Sequence, residues 1–355
     1  MVHYLFPSVG TEVKLERRCP HCHRLGAWTH SARRQRAISD VRTETLAQQR
    51  QRCPFCGTTW TVRAHGVGAG RTRSERLRAM GVFLYMLGLS YRATATFMRS
   101  FQWQGSKSAI ERDVAEAGQH AKTLHNEAPA VHVRVLGVDG TGAKMAGMDA
   151  GMLFFVDVER QHLVCVEPLQ ETDTRKVRQH IQRVMALVGA EQLRTDELSV
   201  YEHTVAPEDH TICLAHWLKS KCKRAWDLAR QFEAEGMTYE AQTMRDLIAL
   251  LHRYRSSPTL PEEIERLVRR FINCREGVLW KANQLLQHIE RTWASVSRDP
   301  ADPTNNTTER LIGLTYKIRT KTMRGFKSRA KALAHPYLSQ FLRGTAGVCD
   351  FRMVI

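Results

Sequence analysis

Residues 131–140, VHVRVLGVDG, alternate apolar and polar side chains and end in an aspartate followed by a glycine. Such alternation predicts a β-strand with one buried face. The next segments have the composition of two strands, an amphipathic helix and two short strands: GMLFFVDVER (151–160), HLVCVEPL (162–169), TRKVRQHIQRVMALVG (174–189), LRTDELSV (193–200) and HTICLAH (210–216). This β-β-β-α-β order predicts an α/β domain that begins as a β-meander.

The same order of elements is that of the RNase H-like fold, so the acidic residues at the strand ends are the first to consider. Asp139 ends the first strand, Asp196 lies in LRTDELSV, and Glu309 is the third candidate. A single carboxylate is usually a solvated surface group. Three that converge would instead hold two Mg²⁺ or Mn²⁺ ions for phosphoryl transfer on DNA. The glycines after Asp139 would allow the close approach of backbone, metal or phosphate.

Glu309 is the single acid in a basic stretch, residues 304–333, TNNTTERLIGLTYKIRTKTMRGFKSRAKAL, which has eight Lys or Arg. One interpretation is structural: Asn306 caps a helix and Glu309, three residues later, completes a capping box. The other is catalytic: the helix start points Glu309 at metal ions, while the basic residues after it follow DNA phosphates. If Glu309 is a cap, Glu197 and Asp157 are the next candidates for the third ligand.

The composition favours a polyanionic partner. The chain of 355 residues has 53 Lys or Arg against 36 Asp or Glu, a formal net charge of +17. Clustered cations gain affinity for nucleic acid by counterion release, so we expect double-stranded DNA; a membrane surface is the weaker alternative. The longest apolar run, MGVFLYMLGLSY from Met80, is too short to span a bilayer. With no secretory apolar region at the N-terminus, we expect no membrane partner and a cytoplasmic, nucleoid-associated location.

Nine cysteines include two C-x2-C pairs: Cys19 with Cys22, and Cys53 with Cys56. Their odd number and spacing argue against a disulfide framework. Two such pairs complete a tetrahedral site, so we expect a structural Zn²⁺ in a zinc-ribbon-like module. His21 and His23 are alternative ligands, and a single C-x2-C is often accidental or redox-active.

The same front part of the chain is strongly basic. Residues 1–78 have 15 Lys or Arg and 5 Asp or Glu, a net charge of +10. This charge is typical of a module that contacts DNA. The residues of the module that we expect to contact DNA are Arg33, Arg34 and Arg36.

A helix-turn-helix is predicted next. Residues 74–88, SERLRAMGVFLYMLG, have helical spacing with Ser74 as N-cap. Two more helical segments, 88–101 and 106–125, are joined through a turn at Gln104 and Gly105, as in DNA-binding helix pairs. Plain helical packing is the alternative. On the second of these helices, capped at Ser106 or Ser108, we expect DNA contacts from Lys107 and Arg112.

The part of the chain between the strands and Glu309 reads as helical throughout. Its first helix has an apolar stripe: Leu218, Cys222, Ala225 and Ala229. Three tryptophans, Trp226, Trp280 and Trp293, are expected to pack in the core rather than stack on DNA bases. We therefore expect five segments: the zinc-binding module (1–70), the helix-turn-helix (71–128), the first part of the RNase H-like core (129–216), an all-α insertion (217–298), and the last part of the core with Glu309 and the basic helix (299–355).

On these motifs the chain resembles the D-D-E transposases, especially the Mutator-like group and related zinc-bearing bacterial insertion-sequence transposases. The resemblance extends from the paired C-x2-C motifs through LGVDGTGAK and RTDELS to NNTTERLIGLTYKIRTKTMRGFKS. After the second Asp that group carries a C-x2-H, matched by Cys213 and His216, and then a helical domain. The Glu of the family is commonly followed by Arg, here Arg310, and by a basic helix that ends near an RGFKS-like turn. A basic residue often found seven positions after the Glu is displaced here, since Tyr316 stands there.

The resemblance implies a transposase that binds terminal inverted repeats and cuts and joins DNA strands with two divalent ions held by Asp139, Asp196 and Glu309. It also implies target DNA as a second DNA partner and a homo-oligomer assembled on DNA. His216 either forms a metal-free structural pair with Cys213 or touches the scissile phosphate or a water. The residues around Glu309 expected to contact DNA are Arg310, Lys317, Arg319, Lys321, Arg324 and Lys327. A catalytically inactive, transposase-derived DNA-binding regulator and a zinc-dependent RNA-binding protein are the alternatives.

Overall fold

The computed structural model describes residues 2–26, 29–128, 131–253, 260–271, 277–293, 295–296, 306–322, 326–344 and 347–355. They form two compact units. The first unit comprises Met1–Ala128, Met145–Gly147 and Thr315–Ile355, and the second comprises Pro129–Lys144 and Met148–Leu314. The last predicted segment, 299–355, is thus divided between the units.

The first unit begins with four strands: β1 (His3–Leu5), β2 (Thr29–Ala37), β3 (Thr45–Arg52) and β4 (Thr59–Arg63). β2, β3 and β4 form an antiparallel sheet in that order. A small apolar cluster of Ile38, Leu46, Ala64 and Val67 packs beneath it. So small a core stabilises the module weakly, which is why small modules commonly need a metal or a disulfide.

Three helices follow: α1 (Glu75–Met86), α2 (Tyr91–Ser100) and α3 (Lys107–Glu127). Each starts at a serine whose hydroxyl accepts a hydrogen bond from the third backbone N–H of the helix: Ser74, Ser90 and Ser106. The predicted caps at Ser74 and Ser106 are therefore confirmed. At Gly81 of α1 a side-chain carbon would lie 2.9 Å from Met98 of α2, so glycine permits this close packing.

A buried ion-pair network joins these helices. The carboxylate of Asp113 on α3 is fully buried and accepts hydrogen bonds from Arg73 at 2.5 Å and from Arg78 on α1 at 3.0 Å. Arg78 also donates to Glu116 at 2.9 Å. Buried charges are tolerated when they are paired in this way, and removal of one partner is costly.

The second unit contains a mixed five-stranded sheet and its first helix: β5 (Val135–Met145), β6 (Met148–Asp157), β7 (His162–Glu167), α4 (Thr174–Val188), β8 (Gln192–Thr195) and β9 (His210–Ile212). The strand order is β7-β6-β5-β8-β9. β6 and β7 are antiparallel, whereas β8 is parallel to both β5 and β9. Apolar residues of α4, including Val177 and Ile181, pack with Leu136, Phe155 and Leu193 of the strands. Each such fully buried side chain contributes about 1.5–3 kcal/mol.

Four helices complete most of this unit: α5 (Leu214–Ala234), α6 (Thr238–Arg253), α7 (Leu260–Phe271) and α8 (Gly277–Trp293). The predicted helical character of the region is confirmed for the described residues. Residues of these helices form a cluster of their own, in which the indole N–H of Trp217 donates to Thr292 at 2.7 Å.

The tryptophans of these helices differ in exposure. Trp293 is buried as predicted, but Trp226 is 51% exposed and Trp280 is 43% exposed. The core prediction is wrong for these two. Trp226 follows the buried Ala225 directly and falls outside the apolar stripe, because successive helical residues are about 100° apart.

The remaining elements are α9 (Asn306–Ile312), a π-helical turn (Gly313–Lys317), α10 (Ile318–Thr322), α11 (Arg329–Leu342) and β10 (Val348–Asp350). Residues 306–322 of the basic stretch are helical without a break, with the π-helical turn within them, and α11 begins at Arg329. Within the first unit, β10 pairs with β1 in parallel and α11 packs on α3. Gly118 of α3 allows this, since a side-chain carbon there would lie 3.0 Å from Ala334.

None of the helices in the described part of the chain is both long enough and apolar enough to cross a membrane.

Asp113→Asn is expected to lower the free energy of unfolding by about 3 kcal/mol or more, because it removes the fully buried negative charge with which Arg73 and Arg78 pair. Urea unfolding checks this as a lower midpoint at unchanged slope. Asp350→Asn is the control, because Asp350 pairs with the exposed Arg352. Equal losses for the two variants would contradict the structural role of Asp113.

Candidate active site and metal centres

Four cysteines of the first unit come together: Cys19, Cys22, Cys53 and Cys56. Their sulfurs all lie within 4.8 Å of one another, with 3.7 Å between Cys19 and Cys56 and 3.6 Å between Cys22 and Cys53. Each pair sits on a tight turn, closed by hydrogen bonds of 3.0 Å from His23 N to Cys19 O and from Gly57 N to Cys53 O. Among the described residues the cluster includes neither His21 nor His23. Four protein ligands would leave no open position for catalysis.

The ionisation of these thiols suits a cation. Hydrogen bonds from the side chain and backbone of Thr58 lower the pKa of Cys56 to about 5. A backbone hydrogen bond at Arg24 lowers the pKa of Cys22, but burial and the neighbouring thiols outweigh it and raise this pKa to about 11. One thiolate thus opposes the ionisation of another. A bound metal ion removes that penalty, because thiolates are its ligands.

The second unit brings Asp139 and Asp196 together. β5 and β8 are parallel neighbours, with Leu136 opposite Leu193 and Gly137 opposite Arg194. Two residues further along this register, Asp139 comes opposite Asp196. The parallel pairing therefore explains why two acids 57 positions apart in the sequence converge.

Glu171, which the sequence did not single out, completes this acidic group. One oxygen each from Asp139, Glu171 and Asp196 lies within 4.8 Å of the others. Glu171 can approach because residue 140 is glycine: a side-chain carbon there would overlap the Glu171 carboxylate. The hydroxyl of the buried Tyr201 donates to Glu171 and fixes its orientation. In the sequence, the glycine directly after Asp139 indicated that another group approaches closely there, but it did not indicate which side chain that is.

The surroundings of Asp196 disfavour its charged form. Burial raises the pKa of Asp196 to about 6, and the charges of Glu171 and Glu197 add to this. The backbone N–H of Leu198 and the nearby His216 act in the opposite direction. A divalent cation would offset this repulsion, so the donor set fits Mg²⁺ or Mn²⁺, which prefer carboxylate oxygens.

Glu309 lies in a different group of the same unit. Its carboxylate is 3.0 Å from His216 Nε2, and one ligand atom each of Cys213, His216 and Glu309 lies within 4.8 Å of the others. Among the described residues the three predicted carboxylates thus do not form a single cluster. Asp139 and Asp196 gather around Glu171, and Glu309 pairs with His216.

His216 connects the two groups electrostatically. A hydrogen bond with Cys213 raises the pKa of His216 to about 9 despite its partial burial, and the charges of Cys213, Glu309 and Asp196 add to the rise. The imidazole is therefore protonated at neutral pH. It is a cation between a member of the acidic group and Glu309.

The capping interpretation of Glu309 stays a prediction, because residues 297–305, directly before α9, lie outside the described residues. The Glu309 carboxylate contacts His216 on α5. Its role is therefore in the contact between these helices.

The two alternative third ligands have structural roles. Burial raises the pKa of Glu197, but hydrogen bonds from His288 and Lys221 outweigh burial and lower it. Glu197 is thus held by a buried ion pair with Lys221. Asp157 accepts two backbone hydrogen bonds of 3.0 Å at the β6–β7 turn.

The predicted DNA contacts fall into three classes. Exposed or partly exposed side chains, as DNA binding requires, are those of Arg33, Arg34, Arg36, Lys107, Arg112, Arg310, Lys317 and Lys327. The prediction for Arg319 is wrong: it is 5% exposed, stacks 3.8 Å from the centre of the Tyr85 ring and donates to Leu89 O at 2.8 Å. Arg324 and the side chain of Lys321 lie outside the described residues.

A basic cleft of about 980 Å³ opens in the first unit, lined by α2, the turn after it and the start of α3. It contains Lys107 and Arg112, and also Arg92 and Arg99, which the sequence analysis missed. Trp103 lines the cleft among these cations. Several cations on one concave surface suit a phosphate backbone.

No protein-family model matches the sequence, and no match was found among proteins of curated function.

Purified protein is expected to hold about one tightly bound zinc per chain in the four-cysteine site. Cys19→Ser should lose that zinc and unfold the module, because metal binding contributes folding free energy. Elemental analysis and thermal unfolding check both effects, with Cys222→Ser as the control. Purified protein without zinc, or a Cys19→Ser variant of unchanged stability, would contradict the assignment.

Proposed function

We propose that this protein is a D-D-E transposase that binds the terminal inverted repeats of its element and cleaves and joins DNA strands. The observation that carries the proposal is the convergence of Asp139, within β5, and Asp196, directly after the end of the parallel strand β8, with Glu171. Glu309 lies next to this group through His216. A net charge of +17 favours DNA as the substrate.

The fold supports an RNase H-like core as part of this proposal. A meander of β5, β6 and β7 is followed by α4 and the parallel strands β8 and β9. The helices α5 to α8 then separate Asp196 from Glu309 in the sequence, as an all-α insertion would. The four-cysteine module, with Zn²⁺ as the proposed ion, and the helix pair α2 and α3 precede the core.

Asp139, Asp196 and Glu171 would hold divalent ions, with Glu309 as a further ligand. Two such ions lower the pKa of the attacking water or 3′-hydroxyl and stabilise the leaving oxygen. The chain contributes the orientation of its own groups: Tyr201 fixes Glu171 by its hydrogen bond, and Gly140 leaves the space. The imidazolium of His216 adds a positive charge that favours a phosphate oxygen nearby.

DNA binding is assigned to the first unit. The cleft with Arg92, Arg99, Lys107 and Arg112 places cations along α2 and α3, and exposed arginines of β2 add to them. We assign α3 as the recognition helix of a helix-turn-helix. A homo-oligomer assembled on element ends and target DNA, in a nucleoid-associated cytoplasmic location, completes the proposal.

Strand cleavage tests the site. With Mg²⁺ and the DNA ends that flank its own gene, the protein should make end-specific nicks. Asp139→Asn, Asp196→Asn and Glu309→Gln should each lower cleavage about 10³-fold or more while leaving DNA binding intact, because groups that act as a unit fail together. Glu191→Gln is the control, since Glu191 is an exposed acid.

The same series separates the remaining possibilities. If Glu309→Gln cleaves normally and Glu171→Gln is inactive, Glu171 is the third ligand. Metal-independent binding to the repeats without any nicking would indicate an inactive regulator. Preference for RNA over the repeat ends would indicate the RNA-binding alternative.

DNA binding should weaken steeply as salt rises, because each phosphate contact contributes about one unit to the slope of log K against log salt. Arg99→Gln and Arg112→Gln should each reduce that slope by about one. Arg352→Gln, which removes an exposed arginine paired with Asp350, should leave it unchanged. A slope unaffected by Arg99→Gln and Arg112→Gln would exclude the cleft as the binding surface.

A further inference from the structure

The buried thiol of Cys213 lies beside Glu309, although thiolates are not ligands that magnesium prefers. Cys213 is fully buried and is the N-cap residue of α5, yet its side chain makes no cap hydrogen bond. Serine, threonine, aspartate and asparagine are the usual residues there, because their oxygens accept the N-terminal N–H groups. The helix start therefore does not account for cysteine at this position.

The two groups of ligand atoms in this unit differ in chemical hardness. Asp139, Glu171 and Asp196 offer three carboxylates, the set that Mg²⁺ and Mn²⁺ prefer. Cys213, His216 and Glu309 offer a sulfur, an imidazole nitrogen and a carboxylate oxygen. Thiolate and imidazole together select zinc and other later first-row metals over magnesium.

We propose that Cys213, His216 and Glu309 form a further metal site that takes Zn²⁺ or a similar ion, and that occupancy of this site withdraws Glu309 from catalysis. The second half of this statement rests on the proposed function; the metal site itself does not.

The geometry suits such an ion. His216 lies on the first turn of α5, three residues after Cys213, so both side chains are set by one helix start. Glu309 reaches them from α9, 3.0 Å from His216 Nε2. Zinc binds thiolate at about 2.3 Å and imidazole at about 2.0–2.1 Å. Ligand atoms within 4.8 Å of one another need small side-chain rotations to reach a common ion at these distances.

Zinc binding at this site and DNA strand cleavage would then compete. An ion in this site takes the Cys213 thiolate, the neutral His216 imidazole and the Glu309 carboxylate, and the proton of the His216 imidazolium is released to solvent. Glu309 would be fixed away from the acidic group, and the His216 cation would be lost. By linkage, Mg²⁺ that recruits Glu309 must weaken zinc binding to the same degree.

Cobalt tests the site directly. Co²⁺ is added to the full-length protein with zinc retained in its four-cysteine site, and near-ultraviolet absorption reports cobalt–thiolate bonds. A new thiolate band with about one Co²⁺ per chain is expected, lost in Cys213→Ser and weakened in Glu309→Gln. Cys213→Ser should fold, since serine is a favoured N-cap residue. Cys222→Ser is the control, because Cys222 lies 3.7 Å from His252 and these two residues could bind cobalt instead of Cys213 and His216.

Cleavage assays test the consequence. At fixed Mg²⁺, Zn²⁺ should inhibit nicking, and the half-inhibiting concentration should rise at least about tenfold in Cys213→Ser, since loss of even an outer-shell partner typically costs that much affinity. It should stay unchanged in Cys222→Ser. If the protein cuts no DNA, the proposed function fails while the cobalt band still decides the site. Absence of that band, or its persistence in Cys213→Ser, would overturn the site.

Discussion

The parallel pairing of β5 with β8 is the constraint on which the acidic group depends. Because side chains alternate between the faces of a strand, a slip of one residue would move Asp139 to the opposite face from Asp196. The buried Leu136 and Leu193, opposite each other in the register, resist such a slip, since the strand that slipped would turn its leucine out of the core. Hydrophobic packing against the sheet thus sets the distance between the carboxylates of Asp139 and Asp196.

Features encoded locally were predictable from the sequence. The strands and helices follow from apolar spacing, the caps at Ser74 and Ser106 from side chains that satisfy helix N–H groups, and the cysteine cluster from two short turns. Each of these depends on residues close in the chain or on a simple period. The convergence of Asp139 and Asp196 was also predictable, since both acids were placed on neighbouring strands, but the prediction that Asp139 ends its strand is wrong, because β5 continues to Met145.

Features set by distant partners were not. Glu171 enters the acidic group through the gap at Gly140, and Glu309 turns to His216 on another helix. Arg319, in a run of surface-like basic residues, is buried against an aromatic ring because its guanidinium stacks there and donates to a backbone carbonyl. Charge and periodicity do not identify such partners. They describe only the residues near Glu171 or Arg319 in the sequence, whereas the partners come from distant parts of the chain.

The electrostatics of the proposed enzyme contain a conflict that metal ions would resolve. The net positive charge would attract DNA, but a phosphate near the carboxylates of Asp139, Glu171 and Asp196 would be repelled. Burial and the charge of Glu171 already raise the pKa of Asp196. DNA affinity would then depend on the basic residues, and strand cleavage on the acidic ones. A metal cation bound by the carboxylates would reconcile the two, because it stabilises the ionised acids and attracts the phosphate to the same place. His216, the cation that the chain supplies beside Asp196, is held by Glu309 and Cys213. The charges of Cys213, His216 and Glu309 therefore affect how strongly Asp139, Glu171 and Asp196 can bind a metal ion.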